Sequence, residues 1–467
     1  MGIITRDVDF LFIYESRNRE IDSICLLGAY LENKGYRVGY INSWDSMFHW
    51  RPEYRTKVLL LSACYSDNGY AWFTGEALEF EKVINLQWEQ VIMNGVAESK
   101  GINDWYFRGE ALKNRYVCWG ENNQEYLHKR FGIGTGQTRV CGYLPLDFYR
   151  DNLRDATMKR EELFSRYGLD PARKTLLFIS SFAEAGKPMS DAAILDEDED
   201  EQESRDNVAL QETSQRMILE WFRQLAADEE GIQIVYRPHP AEANNPKVLR
   251  YAREVPNIRV IPQESIRNWI MNCDILCNWQ STSMIELYTT GKRTLILRPQ
   301  EIPHKRAMPI FEDGHFTAVT TYEELLAGIR EEHPDFPVEK EKLLRFYSIT
   351  DQPAYERVGQ YLIDTLEDPD FHSRDIGSHS TPKGRILHRA QQRVNTVKAK
   401  AVHGLYSFFR GDPDSEKGKK IEEDYVQCTY YEKQMRQNRI SQKELREKID
   451  GYKRMICGPG TGDEKCR

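Results

Sequence analysis

The chain has 467 residues, 40% of them apolar and 29% charged, with a formal net charge of −9. That length suits two ordinary domains plus an appendage, and the acidic balance excludes a general polyanion binder, so no nucleic-acid partner is expected. Nine scattered cysteines, several inside strand-like runs, predict reduced thiols. The absence of a signal-peptide pattern or an apolar run near the ~18 residues of a spanning helix predicts a cytoplasmic protein.

Taken in chain order, apolar runs predict strands at 8–14 (VDFLFIY), 37–42, 57–63, 82–87, 115–120 and 138–143. Amphipathic helices fall between them, such as EIDSICLLGAYLENKG, which ends on a stop signal at Gly35. A polar stretch over about 150–172 marks a seam. Strands are predicted again at 174–180, 232–238 (IQIVYRP), 258–262, 274–279 and 293–297. Several runs are nearly continuous Val, Ile and Leu, as parallel strands covered on both faces require. The expected fold class is therefore α/β, with two Rossmann-like parallel sheets facing a cleft. The expected divisions are 1–160, 161–350, a closing helix over 351–372 and a helical extension over 373–467.

Two stretches interrupt the alternation. The acidic run DEDEDEQE (196–203), within a polar stretch from Pro188 to about Glu212, predicts a solvated loop before a helix starting near Thr213. From Gly377 to Gly411 there is no acidic residue, but there are seven cations: Lys383, Arg385, Arg389, Arg393, Lys398, Lys400 and Arg410. Ile386, Ala390, Val394, Val397, Ala401, Leu405 and Phe408 recur at steps of three or four, one apolar stripe on a helix. Residues 383–410 thus suit either an anionic membrane surface or packing on the body or a second subunit. The charged pattern over 421–456 predicts an exposed or self-associating helix.

Chemistry is expected at the strand ends. In Arg237-Pro238-His239-Pro240 two prolines restrain the imidazole, and an Arg stands beside it, a pairing suited to phosphate. The run Gln280-Ser281-Thr282-Ser283 precedes a helix, whose start could hold phosphate. Ser283 with Glu286 also reads as a capping box needing no ligand; otherwise Glu286 is free for sugar hydroxyls of a nucleotide. Ser180 and Ser181 follow the first strand of the second half. In the first half, Glu15, Arg19, Glu20 and Asp22 crowd one strand exit and Glu89 lies at another. Glu89 is the first candidate for a general base and Glu15 the second. Acidic residues at a helix start are also ordinary dipole partners. No metal site is expected: Cys273 and Cys277 lack further ligands nearby.

The stretches ESRNREIDS, NLQWEQ, CWGENNQEYL, GYLPLD, RPHP and NWQSTSMIE, in that order over about 8–345, resemble motifs of bacterial surface carbohydrate biosynthesis proteins. Those are GT-B-like and related to capsule and teichoic-acid transferases. In related CMP-sugar and CDP-glycerol transferases an HP motif and a Ser/Thr-rich turn bind the donor phosphate. The resemblance thus implicates His239 and Pro240 with Ser281, Thr282 and Ser283. It also maps a GNxRxD-like motif onto Gly142, Pro145 and Asp147, with Leu146 where relatives carry Arg. Where glycerophosphate transferases carry a His-Gly pair, this chain has Gln87, Trp88 and Glu89.

The resemblance implies a metal-independent GT-B glycosyltransferase with no cofactor beyond its substrate, a pyrimidine-nucleotide sugar, on residues 161–350. The phosphates are expected on Arg237, His239, Ser180, Ser181 and Gln280 through Ser283, with Glu286 on the ribose. A saccharide or lipid-linked saccharide acceptor is expected at residues 1–160, near Glu15 and Glu89. The alternatives are a nucleotide-sugar epimerase of the same fold, a glycerophosphate-type transferase, and a non-catalytic scaffold of a polysaccharide assembly complex.

Overall fold

Strand β1 (Thr5–Tyr14) shows why the chain builds sheets covered on both sides: Phe10, Leu11, Phe12 and Ile13 are all buried, although consecutive side chains point to opposite faces. The computed structural model describes residues 5–43, 53–74, 79–99, 107–185, 201–229, 231–239, 242, 246–255, 257–311, 318–331, 340–374 and 436–457, with single residues between 387 and 401.

After β1 come α1 (Arg17–Asn33), β2 (Val38–Asn42), β3 (Glu53–Leu61), α2 (Asp67–Thr74), β4 (Glu79–Asn85) and α3 (Asn94–Glu98). Then β5 (Arg115–Cys118), α4 (Glu121–Phe131) and β6 (Thr138–Val140) complete a parallel sheet ordered β2-β1-β3-β4-β5-β6. The second lobe begins with α5 (Arg160–Tyr167), β7 (Thr175–Ile179), α6 (Glu201–Asp228), β8 (Gln233–Arg237), α7 (Pro246–Arg253) and β9 (Ile258–Val260). It continues with α8 (Ile266–Asn272), β10 (Ile275–Asn278), α9 (Met284–Thr289), β11 (Arg293–Leu297), β12 (Ala318–Val319) and α10 (Tyr322–Arg330). Its sheet, also parallel, is ordered β12-β11-β10-β7-β8-β9. The fold class is thus the expected one. Strand β12 left no readable run because it has only two residues.

After α11 (Lys340–Tyr347), the chain returns to the first lobe. Helix α12 (Ala354–Glu367) buries Tyr355, Val358 and Leu362 in the same core as Ile24 and Leu27 of α1. Asp147 fixes the start of this return, accepting from the backbone N–H groups of Ala354 (3.0 Å) and Tyr355 (2.6 Å). Gly142 has φ +88°, a left-handed conformation that favours glycine in this turn. The GYLPLD stretch therefore holds the crossing between lobes.

Three expectations need correction. Helix α6 starts at Glu201, not near Thr213, and takes in the end of the acidic run. Glu201 and Glu203 occupy its first turn, where the helix dipole favours them, and Glu201 pairs with Arg205. The rest of the acidic run lies outside the described residues. Likewise, α13 (Gln442–Cys457) is exposed on one face only: Leu445, Ile449 and Tyr452 are buried in the core that α1 and α12 share. Cys457 is disulfide-bonded, so the thiols are not all reduced; Cys25, Cys64, Cys118, Cys141, Cys273 and Cys277 are free and buried. Of 383–410, Leu387, Ala390, Val394, Val397, Lys398 and Ala401 are described, and each is helical and exposed. Among the described residues no helix is long and apolar enough to cross a membrane.

Candidate functional site at the junction of the lobes

The middle strands of the second sheet bring the two distant second-lobe motifs together. Strand β7 lies between β8 and β10, so the chain past Ile179 is flanked by the exits of Arg237 and Asn278. Ser181 Oγ accepts from the Gln280 N–H at 3.1 Å, and the Ser180 N–H donates to the Arg237 carbonyl at 2.9 Å. His239 and the Gln280–Ser283 turn therefore share one strand-end edge, where open α/β sheets bind ligands.

A buried carboxylate locks the histidine loop. Glu242, 1% exposed, accepts from the His239 N–H (3.0 Å), Ser180 Oγ (2.5 Å), Gln215 Nε2 (2.6 Å) and the Tyr236 hydroxyl. Burial pushes its carboxyl up, against the pull of those donors. The Ser180 hydroxyl is consumed by this network and departs from its expected place on a phosphate. Sequence reading missed Glu242, although its place three residues after the proline-flanked His was the available signal.

Arg237 also departs from expectation. Its guanidinium turns to the carbonyls of Ile261, Gln263 and Glu264, and burial lowers its pKa to about 10. Those carbonyls occupy the fork that a phosphate would need. Gln280 is likewise committed, donating to the Arg306 carbonyl (2.9 Å) and accepting from the Met308 N–H (3.1 Å).

The capping box at Ser283 does not form. Ser283 makes no side-chain cap, and Glu286 reaches across the lobe boundary to the hydroxyls of Tyr149 (3.1 Å) and Tyr143 (3.4 Å). Thr282 and Ser283, both half-buried, have hydroxyls without a hydrogen bond among the described residues. Helix α9 has only six residues, and the N–H groups of Gln280, Ser281 and Ser283 are already hydrogen-bonded, so the Thr282 and Ser283 hydroxyls, not a long dipole, are what it offers. Glu286 is 5% exposed; burial pushes its pKa up to about 7, and Tyr149, Arg267 and Tyr143 only partly hold it down. A carboxyl so enclosed joins the lobes and has little left for a ribose.

The first lobe presents a second cluster. Glu20, fully buried at the start of α1, accepts from Ser62 Oγ (2.5 Å), Arg19 Nη2 (2.9 Å) and the N–H groups of Glu15 (3.1 Å) and Ser16 (3.2 Å). Arg19 also pairs with Glu89 and lies 3.8 Å from Glu15. Burial opposes its charge, but Glu20 and Glu89 hold the guanidinium above its ordinary range. The two candidate bases thus lie on one arginine, and they are not equivalent. Glu89 carries the close ion pair, whereas burial, then the charges of Glu20 and Glu89, push Glu15 up to about 7. The β4 exit that carries Glu89 is pinned: Gln87 has φ +44° and its N–H donates to Asn85 Oδ1 at 3.0 Å.

The two lobes touch near these residues. Asn94 donates to the carbonyls of Ala307 (2.9 Å, backbone) and His304 (3.1 Å, side chain), in the loop that Gln280 holds. Val91 and Trp119 share an apolar seam with Met284 and Ile285 of α9. Tyr143, bonded to Glu286, also feels the Arg19 charge. Further back, Arg267 of α8 pairs with Asp22 of α1 (3.3 Å) and Lys448 of α13 donates to the same carboxylate (2.8 Å). Burial works against the Asp22 charge, yet these cations lower its pKa to about 2.

No protein-family profile matches the chain, and no curated protein matches it. Solved structures do. A variant of the wall teichoic acid polymerase TagF aligns at TM-score 0.50 and 10% identity, over 77% of this chain and 89% of that one. The fold is that of GT-B enzymes. The UDP-GlcNAc 2-epimerase of Methanocaldococcus jannaschii aligns at 0.49 and 11%, over 77% and 100%, and the S. aureus MnaA–UDP structure at 0.45 and 14%, over 78% and 100%.

Proposed function

We propose that this protein is a metal-independent glycosyltransferase that uses a nucleotide-activated sugar, of pyrimidine type, to build a bacterial surface polysaccharide. The observation that carries the reading is the meeting of the His239 loop and the Ser281–Ser283 turn on one sheet edge, where the Thr282 and Ser283 hydroxyls have no hydrogen bond among the described residues. His239, Ser181, Thr282 and Ser283 would bind the donor phosphates, while Ser180, Arg237, Gln280 and Glu242 hold the walls of that cradle. Glu286 ties the donor lobe to Tyr143 and Tyr149. TagF, with which the chain shares its fold, has been solved after soaking with CDPG, which supports a nucleotide-linked donor by analogy of fold.

The acceptor, a saccharide or lipid-linked saccharide, would enter beside Glu15. Its hydroxyl oxygen bonds to the anomeric carbon, its proton passes to the Glu15 carboxylate, and the carbon–oxygen bond to the donor phosphate breaks with its electrons. Hydrogen bonds from the cradle to the departing phosphate lower the barrier most, because charge develops there. The reaction would take place in the cytoplasm.

Titration with CMP, CDP, UMP and UDP tests the reading: one nucleotide should bind at least tenfold more tightly than the others, and His239→Ala should weaken its binding tenfold or more. Equal, weak binding of all four would leave a non-catalytic scaffold. An epimerase of the same fold is the second reading, and the half-exposed Glu15, whose pKa of about 7 lets it both give and take a proton, is the residue it would use. Incubation with nucleotide sugar in deuterated water, without acceptor, separates the two. Deuterium entering the sugar ring would establish the epimerase.

A further inference from the structure

We propose that the described helical residues Leu387, Ala390, Val394, Val397, Lys398 and Ala401 form a surface that seats the protein on an anionic lipid bilayer. Among the described residues, the large apolar side chains that stand open to solvent are Leu387, Val394 and Val397, at 59%, 56% and 66% exposure. Their steps, with Ala390 and Ala401, are three and four residues, which puts all five on one face of a helix. Such a face left in water is unfavourable unless something apolar covers it.

Charge selects the occupant. The surrounding sequence from Gly377 to Gly411 carries seven Lys and Arg and no acidic residue, in a chain whose net charge is −9. Two copies of such a segment would repel each other, which argues against a second copy of this chain as the cover. An anionic bilayer satisfies both features: the apolar side chains enter the interface and the cations meet lipid phosphates.

The placement of the segment gives this a direction. Before it, the Ser373 N–H donates to the Glu81 carbonyl (2.9 Å) and the Tyr70 hydroxyl to the Arg374 carbonyl (2.7 Å). After it, Asn438 accepts from the Arg17 N–H (3.0 Å, side chain) and from Asn42 (3.4 Å, backbone carbonyl). Both ends are therefore tied to the first lobe, and the second lands two residues from Glu15. Lipid contact would hold the proposed acceptor side at the membrane, where a lipid-linked acceptor resides; that last clause rests on the transferase reading, but the lipid contact does not.

The test is flotation of the full chain with vesicles of phosphatidylcholine alone or mixed with phosphatidylglycerol, at low and high salt. The intact protein should float with the anionic vesicles only, and less at high salt. The triple variant Leu387→Asp, Val394→Asp, Val397→Asp should lose at least tenfold in partitioning, as should the pair Arg389→Glu, Arg393→Glu, with nucleotide binding unchanged in both. The proposal is overturned if the intact protein ignores both vesicles, or if the triple variant floats equally well. It is also overturned if light scattering shows a dimer that the triple variant dissolves, or if a DNA duplex competes the protein off the vesicles. Loss of nucleotide preference with vesicle binding intact would instead sink the transferase reading alone.

Discussion

At the scale of single residues, the proposed binding role of His239 is separable from the support that Glu242 gives its loop. His239→Ala should weaken nucleotide binding tenfold or more, by titration calorimetry, with little change in melting temperature. Glu242→Ala leaves four donors facing a void and should cost about 3 kcal/mol in urea denaturation, and binding should weaken as well because the loop loses its anchor. Glu15 makes the pH prediction. A base must be ionised, and this carboxyl has a pKa of about 7. Transfer by the intact protein should therefore rise with pH, close to tenfold per unit below 7, and level off above it. Glu15→Gln should abolish that step, and Glu89→Gln should lower the inflection by removing a negative neighbour.

At the scale of elements, the apolar runs located the strands because parallel strands buried on both faces leave an uninterrupted signature. Residues Phe10 to Ile13 and Leu176 to Phe178 needed no alternation to be recognised. The proline-flanked His239 and the triple hydroxyl turn were legible for a related reason: each directly follows such a run. What escaped was pairing at a distance. Nothing near Arg237 announces three carbonyls at 261–264, and nothing near Glu286 announces Tyr143 and Tyr149. The charged surface of α13 hid a helix whose spaced Leu445, Ile449 and Tyr452 complete a core begun over 400 residues earlier. Ile449→Ala should accordingly cost about 2–4 kcal/mol in denaturant unfolding. Asp22→Ala, which strands Arg267 at 6% side-chain exposure, should cost about 3–5 kcal/mol.

At the scale of the whole molecule, Glu286 links lobe assembly to pH. Below about pH 4.5 it holds its proton both folded and unfolded. Between there and about 7 the folded chain keeps a proton that the unfolded chain has lost, so stability falls as pH rises through that window. Glu286→Gln keeps a partner for Tyr143 and Tyr149 without the ionisation. Its stability relative to the intact protein should grow by up to about 3 kcal/mol between pH 5 and pH 8. A constant difference across that range would assign the carboxyl a lower affinity for its proton.

The two lobes also mature in reverse order of their synthesis. Helices α12 and α13 cover the α1 face of the first lobe, yet they are translated after the whole of the second. While residues 175–330 emerge and pack, Ile21, Ile24 and Leu27 wait for partners still to be made. At roughly 5–20 residues per second the interval from α1 to α13 lasts tens of seconds. A nascent chain interrupted in that interval would carry a finished second lobe and an adhesive, uncovered first one, the form that chaperones hold and proteases clear.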